Sequence, residues 1–245
     1  MRRFSKTIAP TPSSTPLLIE VVSHQLLPSG LKSWVSQSQT KLHDKLNTGL
    51  CGEFLTETGG LLNKVTQFFV YENIAERTRL RQKLSNDSEW QEYIGKLQPF
   101  VMHQDSTLFL ELTAIRDAAG LLPFSAFMPK TAAQKSPSAC YEMRTYQLIL
   151  GYNPVPLLSN AFASGIPAKI KSADYGQLVG CAASEIGDLN KVIELWRFDD
   201  ADACLRHRAA SRGVSEWKVC IGSIAPTVQS FNTSLLKPLE GSRWQ

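Results

Sequence analysis

"LNKVIELWRFDDADACLRHR" (Leu189–Arg208) is nearly a second writing of "LNKVTQFFVYENIAERTRLR" (Leu62–Arg81), 127 positions earlier in a chain of 245 residues. Extended without a gap to Trp90 and Trp217, the two stretches share nine identities in 29 pairs. The identical pairs run from Leu62/Leu189, Asn63/Asn190, Lys64/Lys191 and Val65/Val192 to Ser88/Ser215, Glu89/Glu216 and Trp90/Trp217. Aromatic character is kept as well, with Phe69 matching Trp196 and Tyr71 matching Phe198. Upstream, "IEVVSHQLL" (Ile19–Leu27) echoes "YEMRTYQLI" (Tyr141–Ile149). A repeat of this length is too long for a solenoid unit and suits a small domain. The chain therefore reads as two homologous halves.

Each half has the same order of signals. Ile19–Leu27 and Tyr141–Ile149 have strand composition. Leu31–Leu46 and Leu157–Ile170 carry helical apolar spacing, with Pro154, Pro156 and Pro167 expected to make the second helix irregular. Gly49–Glu57 with Asn63–Tyr71, and Gln177–Glu185 with Asn190–Phe198, are expected hairpins closed by glycine-containing turns. Asn73, three residues before Glu76, predicts a helix start, and Asp199 or Asp200 does the same in the second half. A short turn around each Trp then leads to a last strand, Ser106–Ile115 or Pro226–Leu236. The order β-α-β-β-α-β is the ferredoxin-like split unit. Four strands with helices on one face leave the other face apolar and uncovered, so two such units bury those faces together as an α+β barrel within one chain. The expected boundaries are a leader at 1–16, domains at 17–127 and 139–245, and a linker at 128–138.

Composition narrows the classes. Apolar residues make up 43% and charged residues 20%, values ordinary for a globular protein. No apolar run approaches the ~18–20 residues that span a bilayer. The net charge is +4, but Arg2, Arg3 and Lys6 supply three of those charges, so no basic field argues for nucleic acid. Five scattered cysteines form neither a disulfide framework nor a zinc motif, which suits buried thiols in a reducing compartment. The leader "MRRFSKTIAPTPSSTP" is basic, rich in Ser and Thr and free of acids, a composition that fits an organelle presequence or a disordered tail.

Strand alternation groups the candidate site residues. Asn190, Val192, Glu194, Trp196 and Phe198 share one face of their strand, as do Asn63, Val65, Gln67, Phe69 and Tyr71. Arg144 and Tyr146 lie on one face of the neighbouring first strand, together with Glu142. If these faces line the barrel, Glu194 would be a desolvated carboxylate suited to general-base work, and Glu142, Arg144 and Tyr146 would frame a pocket for an acidic or carbonyl ligand. The plainer alternative pairs Glu194 with Arg144 across strands. Asn63, Gln67, Asn190, Glu194, Trp196, Phe198, Arg144 and Tyr146 form the candidate pocket. His24, His43, His103 and His207 lack partners at metal spacing, so no metal or cofactor is expected. Arg77 and Arg81 suggest a solvated, salt-linked helix face. No G-x-G-x-x-G, P-loop, G-x-S-x-G or H-E-x-x-H occurs. Phe109–Leu112, Tyr146–Ile149 and Tyr175–Leu178 fit the loose aromatic-x-x-aliphatic pattern that autophagy adaptors dock by β-addition.

Several of these motifs, in this order, resemble the NIPSNAP family. "YEMRTYQLILG" resembles the family's first strand, Y-E-L-R-T-Y-x-L-x-P-G. "EIGDLNKVIELWRFDD" is similar to its hairpin, G-x-L-N-x-V-x-H-L-W-x-Y, and "IAERTRLRQKLSNDSEWQEY" to its Arg-rich helix with a closing Trp. The resemblance covers both copies, from Leu17 to about Leu236. It implies a dimeric α+β barrel and mitochondrial association. It further implies protein partners in vesicle traffic or mitophagy, such as autophagy or trafficking adaptors, with no accepted catalysis; a second copy of the chain is a further candidate partner. Where the family's hairpin strand often carries His, this chain has Gln67 and Glu194. Other barrels of this fold include cofactor-free and heme-degrading monooxygenases, so the alternative is such an enzyme or a heme-type ligand binder using the barrel interior.

Overall fold

The computed structural model describes residues 15–129, 138–172 and 174–244. Residues 1–14 of the expected leader and 130–137 of the expected linker lie outside them. The first half contributes β1 (Leu18–Leu26), β2 (Leu50–Thr58), β3 (Lys64–Tyr71) and β4 (Val101–Glu111). The second contributes β5 (Cys140–Leu148), β6 (Gly176–Ile186), β7 (Lys191–Phe198) and β8 (Val228–Pro238). They close one barrel in the order β1-β3-β2-β8-β5-β7-β6-β4. Within each half the first strand is central, flanked by the hairpin and the last strand. The halves join along two antiparallel seams, β2 with β8 (Phe54 opposite Pro238) and β4 with β6 (Leu110 opposite Ala183). The expected α+β barrel of two ferredoxin-like units is the observed fold.

Eight strands leave an interior just wide enough for side chains to fill. Ile19, Phe54, Phe68, Phe109, Tyr141, Val179, Ile193, Leu195 and Leu236, from all eight strands, form one buried cluster, plugged by Phe124 and Phe127 from the segment between the halves and by Trp244, which follows β8. Gly180 on β6 makes room for that plug, because a Cβ there would collide with the Phe124 ring. The helices pack outside. In the first half these are α1 (Leu31–Ser38), α2 (Leu42–Leu46), α3 (Ile74–Ser85) and α4 (Ser88–Leu97), followed by the short α5 (Thr113–Ala118). In the second they are α6 (Pro154–Lys171), α7 (Ala201–Ser211) and α8 (Ser215–Ile224).

Several expectations are corrected. Trp90 and Trp217 sit in helices α4 and α8, not in turns. The single helix expected over Leu31–Leu46 is two, broken where Lys41 takes a left-handed conformation (φ 53°) after the poor helix formers Ser36, Ser38 and Thr40. Conversely, α6 runs 18 residues unbroken. Pro154 and Pro156 fall in its first turn, where backbone N–H groups have no partner to lose, and Pro167 lies near its end. The last strands begin and end elsewhere than expected, and Ile115 is in α5. Asn73 accepts the Glu76 N–H and Asp200 the Ala203 N–H, as their caps require.

The side-chain faces also need correction. The Val192, Glu194, Trp196 and Phe198 face does not line the barrel; it meets α6, α7 and α8, while Ile193 and Leu195 point inward. Ile193 and Leu195 join the lumen cluster with Phe54, Tyr141 and Trp244, whereas Val192, Trp196 and Phe198 pack with Leu158, Phe162 and Trp217 from the helices. The barrel interior therefore offers no pocket to the residues assigned to it.

Candidate functional site

Glu194, at the middle of β7, is fully buried and yet fully partnered. Its carboxylate accepts from Lys169 Nζ at 2.6 Å, Tyr146 Oη at 2.8 Å and Trp196 Nε1 at 2.6 Å, with Arg144 3.7 Å away. Burial alone raises a carboxyl pKa; the Lys169 and Arg144 charges overcome it and hold Glu194 down at about 2. Lys169 reaches in from the buried face of α6. Its ammonium lies 4.4 Å from the Trp196 ring centre and 4.1 Å from that of Trp217, a cation–π site with no solvent access. Beside it, Glu142 accepts from Arg144 at 2.9 Å, Arg208 at 2.7 Å and Thr233 at 2.9 Å. A carboxylate held in this way, with its pKa depressed by the cations beside it, is a structural anion poorly suited to take a substrate proton.

The first half holds the same site with different chemistry. Gln67 stands where Glu194 stands, and Phe69 and Trp90 stand where Trp196 and Trp217 do. Between those two rings lies the His43 imidazole, 5.8 Å and 5.2 Å from their centres, in place of the Lys169 ammonium. Burial depresses the His43 pKa to about 4, so it is neutral. The buried ion pair is thus replaced on both sides at once, by an amide and an uncharged ring. An acid appears one strand over. Glu53 on β2 accepts from Trp34 Nε1 at 3.0 Å, Gln67 Nε2 at 2.9 Å and the Ser38 hydroxyl. Among the described residues it meets no cation, and burial raises its pKa. Gln67 in turn bonds His24, whose ring burial also holds neutral. Glu20, the match of Glu142, accepts from Arg77 Nε and Nη2, each at 2.7 Å, with Arg81 3.3 Å away. Both arginines are salt-linked as expected, but to a buried acid: Arg81 keeps the exposed position expected for it, while Arg77 is largely covered.

Two clefts open beside these clusters. One of about 600 Å³ lies over β1, β4, α3 and α4, with His24, His43, Trp34, Gln67 and Trp90 in its wall. The other, about 520 Å³, lies over β5, β8, α7 and α8, with Arg144, Tyr146, Arg208, Arg212 and Trp217. Every residue lining the second cleft has its repeat counterpart lining the first: Val22 for Arg144, His24 for Tyr146, Arg81 for Arg208, Ser85 for Arg212, Trp90 for Trp217, and so on to Gln104 for Phe231. The clefts are one feature of the repeated unit, present twice.

Of the eight candidate residues, Arg144, Tyr146 and Gln67 line clefts, while Glu194 and Trp196 form the layer behind. Phe198 packs in the helix-facing core against His207. Asn63 and Asn190 are not strand residues at all. Both close the hairpins at φ 57°, a conformation asparagine tolerates better than most residues. Sequence reading missed Lys169, Arg212, Glu53 and Trp34. Lys169 had a signal, because Leu158, Phe162, Ile166 and Lys169 recur at helical spacing and set the lysine on the buried face.

Among the described residues no helix is long and apolar enough to cross a membrane, and no group of His, Cys, Asp and Glu is placed to hold a metal. Comparison with solved structures finds the fold in a putative monooxygenase from Lactobacillus acidophilus (TM-score 0.62, 9% identity, 91% of this chain and 94% of that one). An anthrone oxidase-like protein is similar in the same way (TM-score 0.57, 9% identity, 92% of each chain). At such identity the likeness is one of fold. Sequence relatives are nearer. NipSnap homolog 3A of Homo sapiens is 30% identical over 199 residues, 80% of this chain and 71% of the relative. NipSnap homolog 3B of Mus musculus is 30% identical over 197 residues, 79% and 70% of the two chains. The NIPSNAP family profile matches both halves separately, at residues 19–115 and 141–243. The two repeats that build this barrel are therefore two NIPSNAP units, and the chain belongs to the NIPSNAP family.

Proposed function

We propose that this NIPSNAP protein works by recognition, as a mitochondrial interaction or scaffold protein in vesicle traffic or mitophagy signalling. The observation that carries this reading is an exposed apolar cluster at one end of the second half. Leu150 is 92% and Tyr152 100% exposed, with Leu189 beside them. The Asn190 amide donates to the carbonyls of Ile149 (2.8 Å) and Gly151 (3.2 Å), and Gln147 donates to that of Leu189 (2.9 Å). The β5–α6 loop, tied to the neighbouring hairpin end by these bonds, thus presents apolar side chains from a fixed backbone, the arrangement of a contact site. The commitment of Glu194 to Lys169, Tyr146 and Trp196 supports the same reading, since it removes the general base on which the enzyme alternative was built.

Partner docking by β-addition is disfavoured. Phe109 and Tyr146 are buried, and the closed barrel pairs every strand on both sides. A partner would meet side chains, with Leu150 and Tyr152 foremost. Family membership and the basic leader support mitochondrial residence. Proximity labelling of the full-length protein in cells, beside a Leu150→Ser/Tyr152→Ser variant, tests the proposal. Trafficking or autophagy factors should be labelled at mitochondria and lost with the variant. Recovery of metabolic enzymes alone, or an unchanged set with the variant, would overturn it.

A further inference from the structure

The twin clefts differ most in charge. Around the first, Arg77 and Arg81 share Glu20, and a second acid, Glu53, lies behind Gln67 with no cation of its own among the described residues. Around the second, Lys169, Arg144, Arg208 and Arg212 face only Glu142 and Glu194, an excess of two positive charges. Three of those cations are new to this half: Arg144 replaces Val22, Arg212 replaces Ser85, and Lys169 stands where the first half has the neutral His43. No acid lines the second cleft, and Arg212, exposed at its rim, makes no ion pair among the described residues. The rest of the lining combines the apolar Trp217, Ile221, Ile224 and Phe231 with the neutral polar Ser211, Gln229 and Ser230, and Phe231 tilts over Tyr146 at 4.7 Å between ring centres.

We propose that the second cleft binds a small organic acid with a flat apolar body. The carboxylate pairs with Arg212 and the outward side of Arg208; the body lies over Trp217 and against Phe231. The chemistry favours this class on three counts. A volume of about 520 Å³ suits a small molecule and not a macromolecular segment. Guanidinium groups match carboxylate geometry. An unbalanced pair of positive charges at a partly enclosed wall attracts an anion from solution. The site uses neither the β5–α6 loop assigned to protein partners nor the closed Glu194 cluster, so it stands or falls separately from the recognition function.

Titration calorimetry with 2-naphthoate and its uncharged analogue 2-naphthalenemethanol tests the site on the full chain. The acid should bind saturably at one site, at least about tenfold more tightly than the alcohol, and more weakly as salt rises. Arg212→Gln should weaken naphthoate about fivefold, the size of one partly exposed ion pair. Lys218→Gln, which removes an exposed charge from α8 outside the cleft lining, should leave affinity unchanged. The proposal is overturned if naphthoate shows no saturable binding at millimolar concentration, if the alcohol binds as tightly, or if Lys218→Gln costs as much as Arg212→Gln.

Discussion

His207 is buried between Trp196 and Phe198, its ring 4.6 Å and 5.5 Å from theirs, and neither nitrogen has a hydrogen-bond partner among the described residues. The first repeat carries Leu80 at the same position. Unsatisfied buried polar atoms cost free energy that an apolar side chain of similar size does not. His207→Leu should therefore raise the stability of the chain by about 1 kcal/mol in denaturant titrations; a loss of that size would mean that the ring has an essential partner. Lys169 and Glu194 pose the opposite case. Glu194→Gln leaves the ammonium buried without its anion and should cost about 3–5 kcal/mol. The double change Lys169→Met/Glu194→Gln, which discards both charges as the first repeat does with His43 and Gln67, should recover most of that loss. Simple additivity in the double-mutant cycle would show that the pair is uncoupled.

The elements most legible in the sequence were those with a period and a repeat. β1, β3, β5 and β7 and the N-termini of α3 and α7 stand within a residue or two of where alternation and capping put them, because a strand's face and a cap's hydrogen bond are local properties. What failed was decided by tertiary packing. The sequence predicts turns where α4 and α8 stand, because each helix is only ten residues long and is held by Trp90 or Trp217 packing in the core. Which face of β7 looks inward could not be read from alternation, since both faces are apolar and both are covered. The candidate site was half legible for the same reason. Glu194, Arg144 and Tyr146 share neighbouring strands, but Lys169 comes from a helix 25 residues earlier and Arg212 from the end of α7. At this scale the lumen plug is also open to test. Trp244 packs against Phe54, Phe68, Phe124 and Phe127, so Trp244→Ala should cost about 3–5 kcal/mol by leaving a cavity at the end of the barrel. A change under about 1 kcal/mol would show that the ring is peripheral.

Taken whole, the molecule keeps three histidines neutral inside. Burial depresses the pKa values of His24, His43 and His207 from 6.5 to about 4. In the unfolded chain they take up protons near pH 6.5, before the folded state can, so their contribution is complete above that pH and is lost as pH falls toward 4. Denaturant midpoints should fall steadily between about pH 7 and pH 5, and less steeply in His207→Leu; a flat profile would mean the rings gain protons in place.

The five cysteines are free and buried, so no covalent staple joins the halves. Cohesion rests on the shared lumen and the β2–β8 and β4–β6 seams. Sedimentation of the isolated second half, residues 138–245, tests this most directly. Stripped of the first half, its four strands expose Tyr141, Val179, Ile193, Leu195 and Leu236 to water, and the fragment should sediment as a dimer that rebuilds the barrel or as an unfolded, associating chain. A stable, folded monomer would contradict the account.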